Sequence, residues 1–266
     1  MSLLGGPLVD WLAGLLLHAV WIATVAAALG WLVLRRTRDP KIAHGAAVGS
    51  LLLVAAGMLA MGIATWPELG SAPAVVGTEA AGIARQAPPP ASEPALQTAS
   101  VATGAAGTDW QTWLVLAWGC GVLALSLRHG CGWWQALRLR RTAVAVSGEL
   151  ADRLAGLCRH AGVTVPLLLA SARIAVPAAI GWWRPAILLP AGLLTGLPPA
   201  QVDALLLHEL AHLRRHDWLV EIAASLLESL LFFHPAVWWL GRRLRQAREL
   251  CCDGQAVRDG AEPDGL

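Results

Sequence analysis

His208 and His212 stand four residues apart in the run LLHELAHLRR, residues 206–215, with Glu209 between them. On an α-helix that spacing puts both imidazoles on one face, about one turn apart. Two imidazoles so placed can hold one zinc ion, and the glutamate beside them can take a proton from an attacking water. The competing reading is a chance HExxH, a few polar residues on an ordinary apolar helix. A catalytic zinc needs a third protein ligand and an open position for water. Downstream, RQARELCCD at residues 245–253 puts Glu249 and Asp253 four apart, on one face of a second helix. Glu249 is the expected third ligand. Asp253 is expected to hold a ligand histidine through its other ring nitrogen. Two solvated acids on a surface helix are the alternative, and the HExxH upstream weighs against it.

These side chains need elements to carry them. Pro198 and Pro199 suit the first turn of a helix, which then carries the HExxH. Upstream, Leu150, Leu154 and Leu157 share one helix face, and Gly162 is a natural stop. Between the two helices, VTVPLLLA and RIAVPAAIGWWRPAILLP are short apolar runs broken by Gly and Pro. They read as strands with a hairpin near Gly181. Pro177, Pro185 and Pro190 suit edge positions. An exposed edge around Trp183 to Leu189 either accepts an extended substrate as an added strand or only supports the HExxH helix.

The rest of the chain points to a membrane. Its 266 residues are 56% hydrophobic and 14% charged, where soluble domains carry about 25% charged residues. Residues 11–34 and 42–66 hold no Asp, Glu, Lys or Arg, and 110–127 is a shorter third apolar run. Each is long enough to cross a bilayer as a helix. His18 and His44 interrupt the first two and are expected to pack against other helices. Asp10, the missing basic start and a long apolar core argue against a signal peptide. Arg35, Arg36, Arg38 and Lys41 follow the first span, and Arg128, Arg138, Arg140 and Arg141 follow the third. The positive-inside rule then puts the N-terminus outside and everything after residue 128 in the cytoplasm. Residues 67–109, rich in Ala, Pro, Gly, Ser and Thr, read as a flexible external linker.

The run 218–240 poses a conflict. It is long enough to span, but spanning would carry Glu249 away from His208, and Glu221 and Glu228 are costly in lipid. The His234-Pro235 break resolves it as a bent, membrane-associated element with both ends in the cytoplasm. The expected fold is therefore mainly α with a small β-sheet, with membrane helices at 1–66 and 110–127 and a cytoplasmic zinc domain at 128–266. The net charge of +2, with Lys41 the single lysine, implies no direct nucleic-acid partner. Five cysteines, irregularly spaced and without a CxxC, are expected as small buried thiols. The chain has no tyrosine, so oxyanion stabilisation falls to His234, His216, Arg248 or a backbone amide. Nothing in the sequence sets an oligomeric state.

Residues 173–257, through the HExxH segment, FFHPAVWWL and RELCCD, resemble the BlaR/MecR-type antirepressor membrane metallopeptidases. The resemblance is weaker over the three spans. It implies a gluzincin-like cytoplasmic zinc domain between membrane helices. It assigns His208 and His212 to zinc, Glu209 to catalysis and Glu249 to the third ligand. It also implies proteolysis of a cytoplasmic transcriptional repressor, or of the receptor itself, after an external signal. Antibiotic receptors of that type continue into a further membrane helix and a penicillin-binding sensor. With Lys41 its one lysine, this sequence has no Ser-x-x-Lys acylation motif. A minimal member, a truncated sequence and sensing by a partner all stay open. Two other functions compete with a signalling peptidase: a non-enzymatic membrane scaffold, and a membrane quality-control metalloprotease that shares HExxH and a distant Glu.

Overall fold

Helices α1 (Pro7–Leu34) and α2 (Pro40–Ala64) each begin on a proline, where the missing N–H has no helical partner to lose. The Asp39 carboxylate caps α2 by accepting the Lys41 N–H at 2.8 Å. The computed structural model describes residues 6–66, 110–181, 184–194 and 196–260. The expected linker at 67–109 and Trp183 lie outside the described residues. The buried face of α1 is rich in small residues, Ala13, Ala19, Ala23, Ala26, Ala27 and Gly30. Such a face lets two helix backbones approach closely. At Gly30 the approach is tight enough that a Cβ would overlap the Ser50 side chain of α2.

α3 (Trp110–Thr142) is the third helix long and apolar enough to cross a membrane. It does not stop near residue 127 but runs on unbroken to Thr142, because no Pro interrupts residues 128–142. It packs against the side of α1 and buries none of its own residues. Cys120 and Cys131 ride on it exposed, contrary to the expectation of five buried thiols, while Cys158, Cys251 and Cys252 are buried. The hydrogen bond of His18 among the described residues stays within its own helix: its Nδ1 accepts the indole N–H of Trp21, one turn along α1, at 3.0 Å. His44 Nε2 is buried with no hydrogen-bond partner among the described residues.

The remaining chain builds β1 (Val144–Ala145), α4 (Glu149–Ala161), β2 (Leu167–Ser171), β3 (Ala178–Ile180), β4 (Ala186–Pro190), α5 (Pro199–Arg215), α6 (Asp217–Leu230) and α7 (Pro235–Arg258). Gly162 ends α4 in the left-handed region, φ 68°, where a residue without Cβ is least strained. The sheet order is β1-β2-β4-β3, with β2 and β4 parallel and the outer pairs antiparallel. The β3–β4 hairpin turns at Gly181, φ 92°. β4 is therefore central and buried along its whole length. Pro185 and Pro190 stand just before and at the end of this central strand, where a lost N–H breaks no interior rung. Only Pro177, before β3, lies beside an edge. One sheet face packs through Leu168, Ile187 and Leu189 on α4 and α5, and the other through Leu169 and Leu188 against Leu139 of α3.

α6 and α7 form a hairpin that turns at residues 231–234. Its tip lies against the middle of α1, where His234 Nε2–H donates to the Val20 carbonyl at 3.0 Å. His234 Nδ1 accepts from the Ala236 N–H at 3.2 Å and so caps α7. The last carbonyl of α6 and one in the turn after it are met by indoles: Trp118 of α3 donates to Leu230 at 2.8 Å and Trp238 to Phe232 at 2.7 Å. An apolar setting offers no water to do this. Glu221 and Glu228 of α6 are paired across the hairpin, Arg245 to Glu228 at 2.9 Å and Arg248 to Glu221 at 2.7 Å. Glu228 is only 7% exposed. Arg245→Met should therefore strand a buried carboxylate and destabilise the fold by about 3 kcal/mol. Denaturant unfolding of the Arg245→Met protein and of the Arg245→Met/Glu228→Leu double variant checks this; the double variant should recover most of the loss.

Candidate active site

α5 carries the HExxH face, and α7 lies across it. The two histidine Nε2 atoms are 3.2 Å apart. Glu249 Oε2, from α7, is 3.5 Å from each of them. Donors around a tetrahedral zinc, at bonds near 2.0–2.2 Å, sit roughly 3.3 Å from one another. The three atoms thus form one face of such a tetrahedron and leave a fourth position free. The donor set fits the ion that the sequence suggested.

The atoms facing away from that point are all held. His208 Nδ1 lies 2.9 Å from Asp253 Oδ1. His212 Nδ1 lies 3.0 Å from Asp217 Oδ2. With each Nδ1–H given to a carboxylate, each Nε2 lone pair points at the common centre. Arg248 forks onto Glu249 Oε1, at 3.2 Å from Nε and 3.0 Å from Nη2, and leaves Oε2 free to face the imidazoles. Glu221 holds Arg248 in turn.

Asp217 is the residue that sequence spacing missed. It follows His212 by five, and a helix break lies between them. His216 sits there in the left-handed region, φ 56°, ψ 37°. That turn swings Asp217 back onto the preceding helix, which no periodicity rule for a single helix detects. Arg215 at 3.3 Å and the Cys252 thiol at 3.4 Å complete its shell. Burial disfavours the charged Asp217, but its bond to His212 and the Arg215 charge outweigh this and keep its carboxyl below the usual range. Burial, then the Asp217 charge, drive the Cys252 thiol far above the ordinary thiol range. His212, Asp217 and Cys252 also lie close enough to hold a metal. His212 turns its Nε2 toward His208 and Glu249 and gives its Nδ1 to Asp217, so this group reads as a brace behind His212. Asp217→Ala should weaken zinc binding by about 10- to 100-fold, measured by competition with a chromophoric chelator.

Glu209 is 6% exposed, beside the two imidazoles. Burial pushes its carboxyl above the usual range, while His212, His208 and the Ala179 amide pull the other way. For His212, burial opposes the charged form, and the Asp217 hydrogen bond with the Glu249 and Glu209 charges reverses the balance, so its pKa rises. The cleft in front of these groups has a volume of about 430 Å³. One wall is Pro177, Ala178 and Ala179 of the β3 edge, and the other includes Trp218 and Arg248. The expected peptide-pairing stretch is thereby corrected: residues 186–190 form β4, whose two sides are taken by β2 and β3, and β3 is the strand at the cleft. Of the three oxyanion candidates, Arg248 lines the cleft, with its guanidinium given to two carboxylates. His234 is at the hairpin tip and His216 forms the α5–α6 turn.

The sequence matches the BlaR1 peptidase M56 family over residues 15–262. The chain belongs to this family. A stretch of 87 residues is also 33% identical to the regulatory protein BlaR1 of Bacillus licheniformis, covering 33% of this chain and 14% of that relative. Membership of the M56 peptidases extends from the first membrane-type helix through α7, so the helices and the cleft belong to one family unit.

Proposed function

We propose that this chain is an integral-membrane zinc endopeptidase with its cleft in the cytoplasm, cleaving a cytoplasmic repressor or its own chain during signalling. The observation that carries this reading is the convergence of His208, His212 and Glu249 on one point beside a buried Glu209. Zinc held there would polarise the scissile carbonyl and make the attacking water more acidic. Glu209 takes that water's proton and returns it to the leaving amine. Asp217, Asp253 and Arg248 keep the three donors aimed. The β3 edge aligns an extended substrate along the cleft.

The arginines after α1 and α3 support a cytoplasmic placement of the catalytic half. On that placement the α6–α7 hairpin enters the bilayer from the cytoplasmic side and turns back at mid-depth, opposite Val20. Both its ends stay with the cleft, so Glu249 and His208 share one side. The 14% coverage of BlaR1 leaves its regulatory role an analogy for this chain.

The test is digestion of a cytoplasmic peptide library by the detergent-purified protein, with and without chelator. Cuts at a defined motif, lost on chelation and restored by zinc, support the reading. No metal-dependent cut favours a scaffold, and indiscriminate cutting of unfolded membrane proteins favours quality control.

A further inference from the structure

We propose that the crease between the α1–α2 turn and α7 binds the headgroup of an anionic phospholipid. The crease is a cleft of about 270 Å³, away from the catalytic face. Arg35 and Arg38 of the turn and Arg243 of α7 line it, with Trp31 and Trp239 alongside. Arg35 lies 4.7 Å from the Trp31 ring and Arg243 5.6 Å from the Trp239 ring. None of these three guanidiniums has a carboxylate partner among the described residues. The contrast on α7 is sharp, since Arg245 and Arg248, on its inner side, are both paired with acids. The acid of the turn, Asp39, spends its carboxylate on the α2 cap. Arg243 makes one polar contact, to Gln246 at 3.3 Å.

Three guanidiniums without an acid partner around one cleft match a phosphate, which each can grip with two N–H groups. The position selects the source of the phosphate. The cleft begins at Trp31 and Leu34, the last turn of a membrane-type helix, and continues to Pro40, the first residue of the next. That is the level of headgroups, where tryptophans gather. Its floor is apolar, Ala43 and Ala247 with the exposed Leu250, and a free anion would find no complement there. Acyl chains leaving a headgroup would.

Native mass spectrometry of the purified full chain tests this, with phosphatidylglycerol and phosphatidylcholine of equal chain length as probes. One phosphatidylglycerol should be retained in preference to phosphatidylcholine. The variant Arg35→Gln/Arg38→Gln/Arg243→Gln should lose at least about tenfold of that preference, since each arginine near a membrane surface is worth roughly fivefold in binding. The control Arg36→Gln/Arg128→Gln/Arg141→Gln removes the same charge outside the cleft and should keep it. Should the triple variant not fold, Arg243→Gln alone should lose about fivefold. Equal retention of both lipids, or equal loss in the two triple variants, overturns the proposal. So does displacement of the lipid by millimolar inorganic phosphate, which would mark a free-anion site.

Discussion

Glu209→Gln is expected to slow peptide cleavage by roughly 10²- to 10⁴-fold while bound zinc stays near one per chain. Gln keeps the size of the side chain and can still accept the Ala179 amide that bonds Glu209. What it loses is the ability to take a proton. Because Glu209 is buried, an uncharged replacement also removes a desolvation cost, so the fold should be no less stable. The decisive comparison is initial cleavage rate against metal content in the same preparation. Unchanged cleavage would remove Glu209 from the chemistry. Loss of both rate and zinc would make it part of the metal shell instead.

Glu249→Gln should do the opposite and strip the metal. In the proposed site its Oε2 is the third donor, at 3.5 Å from each histidine nitrogen. A neutral amide oxygen is a weaker ligand for a dication, and the Arg248 fork that aims the carboxylate has no charge to hold. The loss in zinc affinity should exceed the 10- to 100-fold typical of an outer partner such as Asp217. The Glu249 side chain is 45% exposed, so the variant should fold as before. Equilibrium dialysis against a zinc buffer, with circular dichroism melting alongside, separates metal loss from unfolding. Zinc retained at wild-type affinity would mean that another group completes the site.

Where one helix carried the signal, the sequence was readable. His208, Glu209 and His212 lie within one turn of α5, and Glu249 and Asp253 within one turn of α7, so spacing alone grouped them. Pro199 and Gly162 marked helix ends by their backbone chemistry. The break at His234-Pro235 likewise appears where the chain turns between α6 and α7. What escaped was set by partners distant in sequence or by backbone reversal. Asp217 reaches His212 because His216 adopts φ 56°, a conformation that sequence does not announce for a histidine. The ladder Glu228–Arg245–Glu221–Arg248–Glu249 depends on how two helices lie against each other. β4 has the prolines of an edge strand, yet it is central because β3 folds back over it. α3 outran its apolar stretch because helix propensity persists after hydropathy fades.

α3 also has a mechanical meaning. Thirty-three helical residues make a strut roughly 50 Å long, with no proline to act as a joint. None of its residues is fully buried; it is tied to its neighbours at separate points, by Trp118 to the Leu230 carbonyl of α6 and by Leu139 to the sheet. Two residues past its end the chain enters β1, at one margin of the sheet, while the margin opposite forms the cleft wall. A tilt of about five degrees displaces the far end of such a strut by about 4 Å. That is close to the spacing between neighbouring strands, so a small rotation at the Trp110 end is geared into a shift at the sheet that a peptide seated against β3 would feel.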